Sequence, residues 1–395
     1  MYPFRARIRS ATWYSGLHFV YPHEKAADCT AILGLVHLAD LDSTAKEERT
    51  GKRQMQTLTF VDLFCGGGFG ARGAVRGGGR PLLGMDAWDL ATRTYKANFP
   101  KAEVLTQRIE TADTAELARR FKPDVLMTSP ECTAHSIARG SNPGSEQSRE
   151  TAIGIIPWIR SMKPRWVIVE NVNRMKQWDR HDELVKTISG LGYTVSSLHL
   201  NSADFGSPQA RKRLFLICDR NGTTVARGEL LPTVGTLSLS AADIIDWRAP
   251  YKSEKLHRRG RAKPTLQRAA RAIKELGENV PFIIVYYGSD YAGGWQPISM
   301  PLRTVTTIDR FGLVTWSDGV PYLRMLQPAE LLKAMGGGDD HVLPFGNRRE
   351  KIRLCGNGVC SEVMTAVFQW IRKRSRQEDR PHGRPKTRLS RSHNR

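Results

Sequence analysis

The chain of 395 residues is poor in cysteine, and its six cysteines, at 29, 65, 132, 218, 355 and 360, include no C-x-x-C pair. Scattered single thiols of this kind supply neither a disulfide framework nor a zinc knot. No run of 18 apolar residues exists, so no segment reads as a membrane span. The opening MYPFRARIRS is basic, but no apolar stretch of useful length follows it, so it does not read as a secretory leader. These absences point to a reduced, cytoplasmic setting, with no membrane and no metal. Acidic residues are also scarce, 39 against 60 Lys and Arg, which leaves a net charge of +21.

The placement of that excess is informative. Residues 252–274 hold nine Lys or Arg against the single Glu254, and residues 372–395 hold ten against Glu378 and Asp379. These two stretches therefore carry most of the imbalance. A solvated basic face would explain one such stretch. Charge this concentrated favours a polyanionic partner, DNA or RNA.

Apolar runs along the chain read as buried strands that end in chemistry-bearing residues. LTFVDLF (58–64) runs into CGGGFGARGA (65–74), and strand, glycine turn and helix together let backbone N–H groups approach a nucleotide-like cofactor. PLLGMDAWD (81–89) follows as a strand ending in Asp86, placed as an acidic residue that takes ribose hydroxyls. Val125-Leu126-Met127 leads directly into SPECTAHS, which sets Cys132 at the carboxyl end of a strand. A cysteine there either fills space under a loop or lies at the mouth of an open α/β sheet. WVIVENV (166–172) ends in Glu170-Asn171, and a carboxylate beside an asparagine at a strand end calls for a polar cleft. Parallel order would bring all these strand ends to one edge of the sheet. Residues 193–219 read as a hairpin whose second strand starts at Arg213, with Gln209, Arg211 and Arg213 alternating on one face.

The later chain is less regular. SLSAADIIDW (238–247) and PTLQRAARAIKELG (264–277) read as helices, PFIIVYYG (281–288) as a strand, and RMLQPAELLKAMGG (324–337) as an amphipathic helix. GNGVCSEVMTAVFQWIRKR (356–374) begins a final helix with an apolar face, and the Arg-, Ser- and Pro-rich tail from Ser375 has the composition of a disordered segment.

Laid out in this order, FVDLFCGGGFG, SPECTAHS, ENV (170–172), QARKR (209–213), RTVTT (303–307) and GNGV (356–359) resemble the motifs of the DNA cytosine-5 methyltransferases. The resemblance covers about residues 58–220 and 299–371. It implies an α/β fold, a Rossmann-like S-adenosylmethionine-dependent methyltransferase sheet with a smaller target-recognition domain. The division expected is an N-terminal extension (1–55), a catalytic domain (56–220), a target-recognition region (221–298), C-terminal motifs completing the catalytic domain (299–371) and a basic tail (372–395). By the same resemblance Asp62, Phe64, Gly66 and Gly68 would wrap S-adenosyl-L-methionine and Asp86 would hold its ribose. Asn357 and Val359 would close the pocket.

The chemistry of methylating C5 of cytosine asks for these residue types. A thiolate, from Cys132, adds to C6 and makes C5 enamine-like. Negative charge then builds on the N3 and O2 side, where an acid (Glu170) and a guanidinium (Arg213, with Arg211) stabilise it. The target base must leave the duplex to be reached, so double-stranded DNA with a flipped cytosine is the expected substrate. A monomeric modification enzyme of a bacterial or phage-infected cell is expected by analogy, with room for a cognate restriction endonuclease at the same site.

Three features depart from the family pattern. Glu131 and Thr133 flank Cys132 where the family has proline and glutamine, and a carboxylate beside a thiol raises its pKa unless turned away or paired. Gln107-Arg108-Ile109 stands where an aspartate near the adenine is usual. The recognition region is short and partly helical, with Tyr287, Trp295, Arg258, Arg259 and Arg261 as DNA-contact candidates and core packing as the other role open to the aromatics. Two further readings stay open, a transfer-RNA cytosine-5 methyltransferase and a catalytically impaired nucleic-acid-binding relative. A nicotinamide oxidoreductase would account only for the glycine loop.

Overall fold

The computed structural model describes residues 57–130, 151–173, 175, 180–232, 239–287 and 293–378. The β-branched and aromatic runs form the middle of a seven-stranded sheet. Its strands are β1 (Leu58–Leu63), β2 (Gly79–Asp86), β3 (Glu103–Thr106), β4 (Val125–Thr128), β5 (Trp166–Val172), β6 (Thr194–Asn201) and β8 (Lys212–Asp219), with β7 (Gln209–Ala210) lying apart. The order is β3-β2-β1-β4-β5-β8-β6. Strands β3 to β5 in that order run parallel, and β8 is antiparallel to both β5 and β6.

Side chains alternate across a strand, so continuous apolar runs can serve two cores at once. Phe60, Val125, Met127, Trp166 and Ile168 pack with α1 (Phe69–Arg76), α2 (Asp89–Asn98) and the last helix on one face. Val61, Leu63, Leu126, Val167 and Val169 pack with α3 (Thr114–Arg120), α4 (Ile156–Met162) and α5 (His181–Gly190) on the other. This double cover explains why runs such as LTFVDL and WVIVENV show no polar alternation.

The second sheet is antiparallel throughout and gathers β9 (Glu254–Lys255), β10 (Phe282–Val285), β11 (Trp295–Pro297), β13 (Phe311–Ser317) and β14 (Val320–Met325). The basic helix α6 (Lys263–Leu276) lays Ala269 and Ala272 against Phe282, Ile284, Val314 and Leu323. The boundary drawn at 298/299 therefore falls inside this sheet, because FGLVTWS pairs with FIIV across it. Between the two lies β12 (Leu302–Arg303), which pairs in parallel with β7. Within 238–247 the described residues form only a 3-10 turn, at Ala241–Ile244. Helix α7 is shorter than its pattern, Pro328–Ala334, because Arg324 and Met325 belong to β14 and proline occupies its first turn.

After α8 (Arg348–Asn357), helix α9 (Ser361–Glu378) returns to α1. Ser361 Oγ donates to the Phe69 carbonyl at 2.8 Å and Thr365 Oγ1 to that of Gly73 at 3.1 Å. The helix runs through the boundary drawn at 371/372, since Ile371 and Ser375 remain buried. Among the described residues no helix is long and apolar enough to cross a membrane.

Close approach of α1 and α9 depends on Gly73, where a Cβ would collide with the Ser361 carbonyl and stand 2.9 Å from Met364 Cβ. Gly73→Ala should cost about 1–3 kcal/mol, as overpacking does. Gly190→Ala at the end of α5, where nothing lies within 4 Å, should be neutral or slightly stabilising. Denaturant melts of both variants read this directly, and equal stability of the two would contradict the packing described.

Candidate active site

The glycine loop leaves β1 through a sharp turn, with Phe64 at φ 59° and Gly66 at φ 52°. Phe64 is one of few non-glycine residues in the left-handed region, a conformation that its surroundings must hold. Two glycines of this loop do different work. A Cβ on Gly66 would meet open space, whereas one on Gly68 would stand 2.6 Å from the Phe99 ring and 3.2 Å from that of Tyr95. Gly66 thus faces the cleft. Gly68 faces the packing under α2.

That cleft is lined by Asp62, Phe64, Cys65, Gly66, Gly67, Thr128, Ser129, Glu170, Asn357 and Val359, among others. The structure therefore brings together Asp62, Phe64, Gly66, Asn357, Val359 and Glu170 from separated parts of the chain. Gly68 and Asp86, expected with them, do not line it. The Asp86 carboxylate accepts the backbone N–H of Gly66 at 3.0 Å and of Trp88 at 2.9 Å, so it braces the glycine loop. Asp62 is 5% exposed, and burial, helped by Asp86, pushes its carboxyl up to about 8. Burial also pushes the Cys65 thiol well above its usual range.

Glu170 stands one residue past the level at which Leu63, Thr128 and Val169 align across β1, β4 and β5. Arg213 Nε lies 3.2 Å from its Oε1, yet the two are not aligned for a hydrogen bond, and Oε1 accepts none. Burial raises the Glu170 pKa, with Arg213 and then Arg211 opposing it. The net result is a carboxyl whose pKa lies above the ordinary carboxylate range, with an oxygen that has no hydrogen-bond donor.

Arg211 and Arg213 separate in role despite their shared face. Arg211 is 4% exposed and donates to the carbonyls of Val305 at 2.9 Å and Gly356 at 2.8 Å. Gln209 donates to the Ala334 carbonyl at 3.0 Å and accepts from Val305 N at 2.8 Å. These two hold RTVTT and GNGV against the sheet. Arg213 alone meets Glu170.

Cys132, Glu131 and Thr133 lie outside the described residues. The start of their loop is held from both sides, which sequence reasoning missed. Ser129 N donates to Leu63 O at 3.4 Å and Ser129 Oγ to Phe64 O at 3.3 Å. Asn171 Nδ2 donates to Pro130 O at 3.2 Å. The only signal was the asparagine in ENV. Thr128, also unremarked in the sequence, puts a buried hydroxyl without a hydrogen bond at the cleft.

The remaining candidates lie elsewhere. Tyr287 donates to Thr304 O at 2.8 Å and stacks edge-on against Phe311, and Trp295 packs edge-on against Phe282. Both aromatics are packing residues of the second sheet. Arg258 and Arg261 pair with Glu254, while Arg259 is exposed. Gln107 donates to the Thr111 carbonyl and Arg108 pairs with Glu110. Among the described residues no group of three or more His, Cys, Asp or Glu is placed to hold a metal.

Comparison with known proteins gives a consistent result. Residues 58–373 match the family model of the C-5 cytosine-specific DNA methylase. The Type II methyltransferase M.HhaI of Haemophilus parahaemolyticus is 33% identical over 181 residues, covering 44% of this chain and 52% of that protein. M1.HphI from the same organism is 31% identical over 174 residues, 42% and 47% of the two chains. The human tRNA (cytosine(38)-C(5))-methyltransferase is 28% identical over 169 residues, 41% and 42%. The chain spans about half the length of the curated relatives it matches. Among solved structures, the S. pombe Dnmt2 methyltransferase aligns with a TM-score of 0.60 at 13% identity, over 81% of this chain and 99% of its own. A putative DNA modification methyltransferase encoded within an E. coli prophage gives 0.57 at 14% identity, over 80% and 99%. At such identities these last two speak for the fold alone, and the fold is that of a cytosine-C5 methyltransferase. Motif order, strand-end geometry and the match over residues 58–373 together place this chain in the C-5 cytosine-specific DNA methylase family.

Proposed function

We propose that the protein transfers a methyl group from S-adenosyl-L-methionine to C5 of a flipped-out cytosine in duplex DNA, through a covalent bond from Cys132 to C6. The observation that carries this reading is Glu170, a buried carboxyl whose Oε1 has no hydrogen-bond donor, beside Arg213 and in the same cleft as the glycine loop.

The cleft fits the cofactor. Gly66 leaves room for close backbone approach, Asp62 offers a carboxyl for a cationic group, and Phe64, Asn357 and Val359 form walls on either side. Asp86, which also braces the glycine loop, would take the ribose hydroxyls, and Gly68 would let the loop pack against α2. When bound, S-adenosyl-L-methionine supplies an electrophilic methyl group. Cys132, as thiolate, would add to C6 of the base, and the displaced electrons would be drawn toward N3 and O2. Glu170 would hold a proton at N3, which requires the raised pKa that burial gives it. Arg213 would face O2 and keep Glu170 in place, while Arg211 positions the backbone around both. Once C5 had taken the methyl group that bound S-adenosyl-L-methionine would supply, with S-adenosyl-L-homocysteine as the leaving group, the base would lose its C5 proton to water, and Cys132 would leave as thiolate by β-elimination.

DNA as substrate rests on the family description and on the Type II relatives. A modification role, a restriction endonuclease acting on the same site and a monomeric state rest on the same analogy. The human relative that acts on tRNA keeps an RNA substrate as the second reading. Transfer of tritium from labelled cofactor to a mixed-sequence plasmid or to tRNA separates them, and bisulfite sequencing of the plasmid gives the sequence context.

Duplex DNA containing 5-fluorocytosine should trap the protein covalently, and Cys132→Ala should abolish the adduct on a denaturing gel. An adduct that persists in the variant would shift the nucleophile, with Cys65 in the cleft wall as the next residue to replace. Glu170→Gln should lower kcat by roughly 10²–10⁴-fold, the span of a lost general acid, with cofactor binding little changed.

Asp62 gives a pH prediction. Its carboxyl is protonated below about 8 in the free protein, and pairing with a cation requires that proton to leave. Cofactor binding should therefore strengthen with rising pH, by up to about tenfold per unit, and level off above pH 8. Calorimetry on either side of that pKa should show this release of a proton, and Asp62→Asn should remove the slope.

A further inference from the structure

The edge of the large sheet opposite the cleft is lined by cations from separate elements. Lys122 precedes β4, Lys163 and Arg165 precede β5, and Arg220 follows the antiparallel β8, whose Asp219 is level with Trp166. Helix α9 brings a further group to the same edge. Its residue Arg372 lies against Gly78 at the start of β2, and Ser375 Oγ receives Arg165 Nη1 at 3.4 Å. Arg372, Lys373, Arg374 and Arg376 thus fall within the last two turns, at the head of a tail that continues with six more Lys or Arg.

Among the described residues the acidic groups of this edge are few and mostly taken: Glu103 at the head of β3 pairs with Arg120 at 2.6 Å, and Glu378 closes α9. Asp124 is taken by the backbone N–H and hydroxyl of Thr59, at 2.7 and 2.8 Å. Asp219 is fully buried and accepts from Arg165, Asn221 and Thr223. Lys122, Lys163, Arg220, Lys373, Arg374 and Arg376 are exposed, and none forms an ion pair with a described residue. Basic residues at a helix C-terminus complement its dipole, which accounts for one or two of the four in α9. It does not account for the lysines and arginine that three other elements place beside them.

We propose that this edge is a second polyanion-binding surface, which takes the phosphate backbone of duplex DNA away from the catalytic cleft. The seven residues of β5 hold the two edges about 20 Å apart, so a duplex seated in the cleft does not also cover this face. The occupant is a second duplex, or a distant part of the same molecule. A row of exposed cations without base-reading groups suits binding to phosphates rather than to sequence. The inference does not depend on which nucleic acid is methylated.

The test uses the full chain and a labelled duplex of roughly 30 A·T pairs and no others, long enough to span several phosphate sites and offering the cleft no cytosine. Lys373→Ala, Arg374→Ala and Arg376→Ala combined should make the plot of log affinity against log salt shallower by about 2–3, at ~0.9 for each phosphate no longer neutralised. Affinity at fixed moderate salt should fall by about tenfold or more, with cofactor binding and melting temperature unchanged. An unchanged slope in the folded variant overturns the proposal. So does loss of binding to vesicles of anionic phospholipid, or to an RNA duplex, with DNA binding intact. A second arm fills the cleft with the trapped 5-fluorocytosine duplex and asks whether the complex still binds the A·T duplex. Wild type should bind it and the triple variant should not, and wild type failing to bind it overturns the proposal. The salt-slope arm still decides the matter if no trapped complex forms, so failure of the covalent mechanism and failure of this surface remain distinguishable.

Discussion

The register that sets Leu63, Thr128 and Val169 level across β1, β4 and β5 is the constraint on which the site depends. A parallel sheet fixes that level through backbone hydrogen bonds, and a slip by one residue would exchange the two faces of a strand. Both faces are covered here, so such a slip would trade Val167 and Val169 against Trp166 and Ile168 in two cores of different shape. The strand ends are therefore held to a fraction of a residue spacing. The glycine loop, Ser129-Pro130 and Glu170 therefore emerge side by side, and the bonds of Ser129 to Phe64 and of Asn171 to Pro130 tie the three together.

Two buried carboxyls show how environment separates chemically similar groups. Burial, with Asp86 nearby, carries the Asp62 pKa to about 8. Glu170 is equally buried, but the charge of Arg213 beside it, and then that of Arg211, temper the rise that burial produces. Isolated charges are costly to bury, so the apo protein favours the neutral form of Asp62. A cationic ligand reverses that preference. At Glu170 the opposing charge of Arg213 is permanent, and the carboxyl keeps one oxygen without a hydrogen-bond donor. The first arrangement suits recognition of a positive ligand, the second suits sharing a proton with a substrate nitrogen.

Much of this was legible in the sequence because buried parallel strands announce themselves. LTFVDLF, VLM and WVIVENV are largely apolar runs with polar residues toward their ends, and the residues proposed for chemistry sit at those ends. The second sheet was harder to see. FGLVTWS and FIIV are separated by turns of mixed composition, and nothing local says that they pair across residue 298. Period-two spacing put Gln209, Arg211 and Arg213 on one face, but it could not say that two of them would be spent on backbone groups. The division between Gly66 and Gly68 was equally invisible, since a glycine that opens a cleft and one that admits the Phe99 ring look the same in a string of letters.

Arg211 explains why the motifs near the end of the chain belong with those near its start. Its two hydrogen bonds reach Val305 and Gly356, 94 and 145 residues away, and a buried guanidinium left without those acceptors would be strongly destabilising. Ser361 closes a still longer span of 292 residues onto Phe69. Loop-closure entropy grows only with the logarithm of length, so the second sheet can be inserted within these spans at small additional cost. Val359 and Asn357 reach the cleft only once that closure is made. Cofactor binding and docking of the C-terminal segment are therefore coupled: any ligand that touches both Gly66 and Val359 stabilises the packing of α1 on α9, and loosening that packing weakens the ligand's hold by the same free energy.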